Sequence, residues 1–430
     1  MVSASLSPTS GAVADWLSYF EGLHAKAIDL GLDRVVEVLH RLPPAKKTPV
    51  ITVGGTNGKG STTAYLEAIL HAAGYKTGCY TSPHLLRYNE RIRINRKPAS
   101  DEEIVQSFVA VETARAQTSL TYFEFGTLAA LHHFARCEVD VLILEVGMGG
   151  RLDAVNVMDS DCAIVTSVAL DHMEFLGPDR ESIAQEKAGI FRPGRAAIFG
   201  EKEVPVSLKA YADSVGAKLW VNGEAFQHQS SASQWDFIGP GNTLFSLPYP
   251  ALRGAYQLDN ASCALAALTA LQDMLPVSMQ HIRQGFVSVD LPGRLQVLPG
   301  RPAIILDVAH NPHAASALVR SLERMPGFKT TRIVLGMLRD KDIPGVTQLF
   351  RGLVGAWYIC DLPAPRGSSA SELASQIDCG DSENPPSIKL FSNPGQALQA
   401  AQKDADPDDR IIVLGSFLTV ASAMESLGRT

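Results

Sequence analysis

The sequence lacks the features of a membrane or secreted protein. No apolar run reaches the roughly 18 residues that a membrane-spanning helix needs. Residues 1–11 are polar and have no basic-then-apolar signal-peptide layout. Six cysteines are scattered along the chain, at Cys79, Cys137, Cys162, Cys263, Cys360 and Cys379. None belongs to a C-x-x-C pair, which disfavours structural zinc and a disulfide framework and indicates a reducing compartment. We therefore expect a cytoplasmic protein.

An excess of basic charge is also missing. Lys and Arg number 38 against 45 Asp and Glu, giving a net charge of −7. This balance disfavours general binding to nucleic acid or to anionic membranes. At 430 residues the chain is too long for one comfortable core, so two domains are expected. Nothing in the sequence suggests an obligate partner chain, and we expect a monomer.

The most informative stretch is residues 50–73. A β-branched run at 50–53 predicts a buried strand, a loop with four glycines follows, and residues 62–73 have helical spacing. In this order the loop amides converge on an anion and the helix N-terminus adds partial positive charge. Lys59 would then reach the β/γ-phosphates of a nucleotide. We therefore expect a nucleotide-binding loop.

The loop departs from the standard G-x-x-x-x-G-K-[ST] pattern. Val53 stands where the first glycine should be, and Gly60 separates Lys59 from Ser61. An ordinary glycine-rich turn is the alternative, but the Gly-Lys pair between a strand and a helix favours phosphate binding.

Strands and helices alternate on both sides of this loop, which predicts an α/β protein. We expect an N-terminal P-loop ATPase domain at residues 1–293. Its sheet should be mostly parallel and doubly wound, with a small antiparallel patch between residues 219 and 250. A C-terminal Rossmann-like α/β domain is expected at residues 294–430, with residues 290–294 as the link.

Polar side chains follow several of the predicted strands. Ser82, Glu145 and His172 should meet at the carboxyl edge of the sheet, where Glu145 is the natural first ligand for Mg²⁺. A carboxylate there can also cap a loop, and a histidine there can be a buried hydrogen-bonding residue. Lys187 lies on a predicted helix, where a solvated side chain is the usual case. Asp307 ends a strand in the second half, three residues before His310.

Together these motifs resemble those of the ATP-dependent amide ligases of the Mur ligase superfamily. Within it they resemble the folate branch, the dihydrofolate synthases and folylpolyglutamate synthases. The resemblance spans nearly the whole chain, from about residue 16 to residue 423. Its motifs are residues 55–61, 81–85, 90–93, 145–153, 171–177, 186–190, 257–261 and 307–312.

The resemblance implies addition of L-glutamate to dihydropteroate, forming dihydrofolate, and to reduced folates, forming γ-polyglutamates, through an acyl phosphate. It implies ATP and one or two Mg²⁺ ions, with K⁺ as a further candidate ion. The implied ATP contacts are Thr56, Asn57, Gly58, Lys59, Gly60, Ser61, Asn260, Arg294 and Asp307. The implied metal ligands are Ser82, Glu145 and His172.

The resemblance also assigns the remaining site residues. The implied pterin-binding residues are Leu30, Gly31, Leu32, Asp33, Thr121, Tyr122, Phe123, Glu124, Leu152, Asp153 and Ala154. Aromatic faces can stack on a pterin, and a carboxylate can accept its N–H donors.

His310 and Ser416 match positions associated with glutamate. Lys59, Lys187, Asp307 and His310 are the implied catalytic residues. Lys187 matches a lysine that is carbamylated in the superfamily, contrary to the solvated side chain that its spacing favours.

Three other functions are weighed against this one. A monofunctional folylpolyglutamate synthase shares every ATP motif, and only the pterin-binding segments favour a bifunctional enzyme. A Mur-type peptidoglycan ligase is disfavoured because only about 50 residues precede Gly54, too few for its separate uridine-nucleotide domain. A GTPase switch is disfavoured because the chain has no Asn-Lys-x-Asp motif.

Overall fold

A computed structural model describes residues 8, 11–44, 46–363, 365–378 and 385–429. Most of the polar N-terminus and Cys379 lie outside the described residues. The chain forms two compact units. Unit 1 is Met1–Ala251 with Leu258–Val289, and unit 2 is Leu252–Gln257 with Asp290–Thr430.

The main sheet of unit 1 has eight strands in the order β4-β3-β2-β5-β1-β6-β7-β8. They are β1 Val50–Gly54, β2 Thr77–Tyr80, β3 Ile92–Ile94, β4 Lys97–Pro98, β5 Val141–Glu145, β6 Cys162–Val165, β7 Ala196–Phe199 and β8 Lys218–Val221. The neighbouring strands β2, β5, β1, β6, β7 and β8 all pair in parallel. Strands β3 and β4 form an antiparallel edge next to β2. All residues of β1 and β5 are buried, as expected for central strands with helices on both faces.

The helices of unit 1 are α1 Val13–Leu23, α2 Asp33–Leu39, α3 Lys59–Ala72, α4 Asp101–Arg115, α5 Tyr122–Arg136, α6 Met173–Leu176, α7 Arg180–Ala188, α8 Val206–Val215, α9 Gln257–Ala270, whose first residue is assigned to unit 2, and α10 Met279–Ser288. Helices α3, α5 and α8 contact strands of the main sheet. Short 3-10 helices occupy Tyr88–Arg91 and Ala154–Val157. A separate antiparallel sheet contains β9 Gln227–Ser230, β10 Gln234–Gly239 and β11 Asn242–Pro248.

Unit 2 has one six-stranded sheet in the order β12-β13-β17-β14-β15-β16. Its strands are β12 Gln296–Leu298, β13 Ala303–Leu306, β14 Thr331–Leu335, β15 Val354–Cys360, β16 Ser387–Phe391 and β17 Arg410–Leu414. Only β12 is antiparallel to its neighbour. The helices are α11 Pro312–Glu323, α12 Ile343–Thr347, α13 Ala370–Ala374, α14 Pro394–Asp404 and α15 Phe417–Ser426, with a 3-10 helix at Gln348–Phe350.

The α/β class and the small antiparallel sheet confirm the predicted fold class. The lower bound of the antiparallel patch was wrong, because β8 pairs in parallel with β7 and belongs to the main sheet. The edge strands β3, β4 and β12 were not predicted, because they are only two or three residues long. Helix α8 was not predicted either, and only its Leu208 and Ala212 are buried.

Among the described residues, no helix is long and apolar enough to cross a membrane. The five cysteines described are all free thiols.

Candidate active site

The glycine loop lies between β1 and α3, and two of its glycines admit no side chain. Gly55 has φ +136°, and a Cβ there would lie 2.0 Å from Thr166 Oγ1. Gly58 has φ +91° and is the N-cap of α3. A Cβ at Gly58 would lie 2.3 Å from Asn260 Oδ1 on α9. The sequence therefore has glycine where the backbone turns most tightly, immediately before the positive end of a helix.

Lys59 is the first residue of α3, as a phosphate-binding lysine requires. Its Nζ donates hydrogen bonds to the carbonyls of Gly55 (3.0 Å) and Thr56 (3.2 Å), so it lies over its own loop. Ser61 is buried in the first turn of the helix. Thr62 Oγ1 donates to the carbonyl of Asn260 at 3.4 Å. The loop, α3 and Asn260 therefore form one connected group.

The first half of the loop rests on the segment that follows β6. The Thr56 amide donates to the Ser167 carbonyl (2.8 Å), and the Asn57 amide donates to Ser167 Oγ (2.9 Å). Thr56 Oγ1 accepts from the Ala169 amide (3.0 Å) and donates to its carbonyl (3.2 Å). The main-chain and side-chain polar groups of Thr56 are thus engaged within the protein.

The predicted metal ligands follow strands that lie close together in the sheet. Glu145 ends β5 and is 3% exposed, and its Oε2 accepts from the Ser82 amide at 3.3 Å. His172 follows β6, has φ 52° and precedes α6. No group of three or more His, Cys, Asp or Glu side chains among the described residues could hold a metal ion by itself. The Glu145 carboxylate and the Ser82 hydroxyl nevertheless offer the oxygen ligands that Mg²⁺ prefers, and Mg²⁺ usually keeps waters and binds substrate phosphates as well. The imidazole of His172 is a less usual ligand for this ion.

Lys187 is buried, with 3% exposure, so the solvated side chain favoured by its helical spacing was wrong. Burial lowers the pKa of Lys187 to about 7. The positive charge of Lys59 acts in the same direction, and the negative charges of Asp171 and Asp153 oppose both effects. A substantial fraction of the Lys187 amine is therefore neutral near pH 7, the state in which an amine is nucleophilic.

The three predicted pterin-binding segments come together in unit 1. Helix α2, helix α5 and the 3-10 helix Ala154–Val157 contact one another. Arg34 Nη2 donates to Glu124 Oε1 (2.9 Å), while its Nη1 donates to Asp29 Oδ2 (2.7 Å). Glu124 is 3% exposed, and its Oε2 accepts from the Thr121 amide at 2.7 Å. The buried carboxylate of Glu124 therefore caps the N-terminus of α5 and also links this helix, through Arg34, to the segment of residues 29–34.

The other predicted pterin-binding residues differ in burial and contacts. Leu30, Gly31 and Leu32 are half-buried, and Asp33 is exposed at the start of α2. The Phe123 ring lies so close to Gly147 that a Cβ there would be 2.6 Å from it. The Arg91 guanidinium lies 5.6 Å from the centre of the Tyr122 ring.

Asp153 is the buried carboxylate of the third segment. It accepts from the amides of Met148 (2.9 Å) and Val155 (3.0 Å), and it caps the 3-10 helix that begins at Ala154. Burial raises the pKa of Asp153 to about 6, against the opposing effect of these amides and of Lys59. Leu152, just before it, is half-buried.

Unit 2 carries its own group of predicted site residues at the carboxyl ends of β13 and β17, which are neighbours in the sheet. Asp307 is 4% exposed and accepts from the amides of Leu295 and Ala309, both at 2.8 Å. Burial raises the pKa of Asp307, and the charge of Arg294 opposes that rise.

The histidine and the serine of unit 2 are held by the chain around them. His310 Nδ1 donates to the Val308 carbonyl at 2.9 Å. Ser416 is the N-cap of α15 and accepts from the Thr419 amide at 3.0 Å.

The sequence analysis missed Thr166, Ser167 and Arg34. The first two were visible as adjacent hydroxyl residues near the carboxyl end of a predicted strand, where ligands of parallel sheets gather. Arg34 gave no local signal, because its partner Glu124 is 90 residues away in the sequence.

A glycine loop at the central strand of a parallel sheet defines a nucleotide-binding protein, and comparison with known proteins identifies its family. The Mur ligase middle domain matches residues 53–268, and the Mur ligase glutamate ligase domain matches residues 293–417. The dihydrofolate synthase/folylpolyglutamate synthase of Escherichia coli is 47% identical over 96% of this chain and 95% of its own length.

Solved structures agree with this match. A structure of E. coli FolC in complex with DHPP and ADP aligns with a TM-score of 0.92 at 46% identity and covers 99% of both chains. A bifunctional folylpolyglutamate synthase/dihydrofolate synthase with Mn, AMPPNP and L-glutamate bound aligns with a TM-score of 0.89 at 46% identity, covering 98% of this chain and 99% of its own. The chain therefore belongs to the Mur ligase family, and within it to the dihydrofolate synthases/folylpolyglutamate synthases.

Proposed function

We propose that the protein is an ATP-dependent ligase that adds L-glutamate to dihydropteroate, forming dihydrofolate, and to reduced folates, forming γ-polyglutamates. The observation that carries this proposal is the phosphate loop, in which Gly55 and Gly58 admit no Cβ and Lys59 begins α3. The named activity of the E. coli relative supports the choice of substrates.

The reaction requires activation of a carboxylate, whose oxygen is a poor leaving group. A carboxylate oxygen of the acceptor attacks the γ-phosphorus of ATP, ADP departs, and an acyl phosphate forms. The amine of L-glutamate then attacks the carbonyl carbon, phosphate leaves with the acyl oxygen, and the nitrogen loses a proton as the amide forms. The protein contributes positioning and charge compensation, as is usual for phosphoryl transfer.

In unit 1, the loop from Thr56 to Ser61 is the proposed phosphate site, with Asn260 beside it. Lys59 would leave its two loop carbonyls and compensate the charge on the transferred phosphoryl group. The segments of residues 30–33, 121–124 and 152–154 are the proposed acceptor site, and the Arg34–Glu124 contact that joins the first two supports this assignment.

Ser82, Glu145 and His172 are the proposed ligands of Mg²⁺, which would neutralise phosphate charge when bound. Lys187 is a proposed carbamylation site. Its neutral amine would attack the carbon of CO₂ and lose a proton, giving a carbamate that replaces a buried cation by an anion. Burial and the pKa near 7 support this assignment. Incorporation of ¹³C-labelled bicarbonate, seen by NMR in the parent and absent from Lys187→Ala, tests it.

In unit 2, Arg294 and Asp307 are the proposed ATP contacts, and His310 and Ser416 are proposed to act on the incoming glutamate. The predicted monomeric state and cytoplasmic location stay predictions, as do the division at residue 293 and the number of metal ions.

The test is phosphate release with ATP, Mg²⁺ and L-glutamate, with one acceptor added at a time. Dihydropteroate and tetrahydrofolate should each support release and incorporation of glutamate, while a uridine-linked muramyl acceptor should not. Activity with tetrahydrofolate alone would indicate a monofunctional folylpolyglutamate synthase. Lys59→Ala should abolish ADP formation, and ADP formation at the parent rate in this variant would refute the nucleotide assignment.

A further inference from the structure

The first half of the phosphate loop is held by hydrogen bonds to the segment that follows β6. We propose that Thr166 and Ser167 are positioning residues that fix the Asn57 peptide and, with it, the point from which the first turn of α3 begins. This inference rests on the proposed function and names residues that the family resemblance did not supply.

Ser167 holds both polar groups of Asn57. Its Oγ accepts from the Asn57 amide at 2.9 Å and lies 3.0 Å from the Asn57 carbonyl, to which it can donate. The Ser167 carbonyl accepts from the Thr56 amide at 2.8 Å. The amides of Thr56 and Asn57 therefore both donate to Ser167.

Thr166 acts on the same peptide from the other side. Its Oγ1 lies 2.7 Å from the Asn57 carbonyl and 3.1 Å from the Gly54 carbonyl. This hydroxyl is also the atom that a Cβ at Gly55 would approach to 2.0 Å. Thr166 and Ser167 are 5% and 6% exposed, so water cannot easily replace either hydroxyl.

The second half of the loop leads into α3. Gly58 is the N-cap of this helix, and Lys59, Gly60 and Ser61 lie in its first turn. Backbone amides at the positive end of a helix are the usual phosphate donors. Fixing Asn57 fixes the point from which this turn begins.

The segment that carries Thr166 and Ser167 is itself anchored. Arg180 Nε donates to the Val168 carbonyl (3.1 Å), and its Nη2 donates to Glu201 Oε2 (2.8 Å). The same oxygen accepts from the Val168 amide at 3.2 Å. Because His172 lies a few residues further along this segment, one short stretch of chain supports both the phosphate loop and a proposed metal ligand.

The experiment compares matched variants of the full chain. Ser167→Ala and Thr166→Val remove the two hydroxyls, while Thr166→Ser keeps the hydroxyl and loses only a methyl group. Ser160→Ala is the control, because Ser160 is equally buried but donates to the Ile190 carbonyl, away from the loop. ADP affinity is measured by calorimetry, and the KM values for ATP and L-glutamate are measured separately.

Ser167→Ala and Thr166→Val should each weaken ADP binding and raise the KM for ATP about tenfold, with the KM for glutamate unchanged. Thr166→Ser and Ser160→Ala should match the parent. Unchanged ADP affinity in folded Ser167→Ala overturns the proposal, and if that variant does not fold, unchanged affinity in Thr166→Val does so. A parent protein that binds no ADP would instead refute the proposed function.

Discussion

Gly58 and Gly74 have nearly the same positive φ angle in very different surroundings. Their φ angles are +91° and +90°, but a Cβ at Gly58 would lie 2.3 Å from Asn260 Oδ1, whereas a Cβ at Gly74 would meet nothing within 4 Å. Alanine substitutions at these two glycines therefore distinguish two effects. Both introduce the backbone strain of an alanine at positive φ, but only the one at Gly58 also places a methyl group inside the phosphate loop.

We expect Gly74→Ala to lose roughly 1–2 kcal/mol of stability from backbone strain and to bind nucleotide normally. Gly58→Ala should suffer the same strain and also displace Asn260, so its ADP affinity should fall sharply. Calorimetric titration with ADP distinguishes the two variants. Equal ADP affinity in both would show that the space at Gly58 is not needed for nucleotide binding.

Arg93 and Glu67 form a buried ion pair that ties β3 to the helix of the phosphate loop. Arg93 Nη2 lies 2.8 Å from Glu67 Oε2, with side chains 15% and 5% exposed. Glu67→Ala would leave a buried guanidinium without its partner, and we expect a loss of ~3–5 kcal/mol in the free energy of unfolding.

Urea titrations followed by circular dichroism measure this loss. Arg87→Ala is the control, since the Arg87–Asp101 pair is 66% and 51% exposed and should contribute at most ~1 kcal/mol. A loss in Glu67→Ala no larger than that of the control would contradict the prediction.

Arg34→Lys tests the contact between the acceptor segments. A lysine cannot reproduce the guanidinium geometry that reaches both Asp29 and Glu124. We expect the KM for dihydropteroate to rise about tenfold while the KM for ATP stays constant. Arg41→Lys, which alters an exposed pair with Glu37 near the end of the same helix, should leave both constants unchanged. A parallel rise in both KM values for Arg34→Lys would indicate general damage instead.

Asp153 should make acceptor binding depend on pH. Because burial raises its pKa to about 6, the carboxylate is ionised above that pH and neutral below it. An ionised carboxylate can only accept hydrogen bonds, as the N–H groups of a pterin require. Affinity for dihydropteroate should therefore fall as the pH drops through 6.

Asp153→Asn should bind more weakly at neutral pH and show a flatter pH profile. The affinity for dihydropteroate is measured for both proteins over the same pH range. The comparison separates protonation of Asp153 from protonation of the ligand. An identical acid limb in parent and variant would assign the pH dependence to another group.

Short-range patterns in the sequence correspond closely to local structure. Ser100 and Glu103 form a capping box at the start of α4, and Pro312 lies in the first turn of α11, because each pattern depends on residues only a few positions apart. Helix α5 likewise begins at Tyr122 with a capping box formed by Thr121 and Glu124. From the sequence, this segment was interpreted only as part of a ligand-binding site.

Tertiary surroundings could not be predicted in the same way. Helical spacing favoured a solvated Lys187 because it describes one helix alone, whereas the burial of this lysine is set by the rest of unit 1. Likewise, the hydroxyls of Thr166 and Ser167 acquire their partners only when β6 lies beside β1.

The carboxylate of Glu124 is committed on both oxygens, one to the start of a helix and the other to Arg34. Substitution of Glu124 would therefore have two effects at once: it would alter the proposed ligand site and it would weaken the fold. If this part of unit 1 binds the acceptor as proposed, a compound that took its affinity from Glu124 would face a position with few routes to resistance.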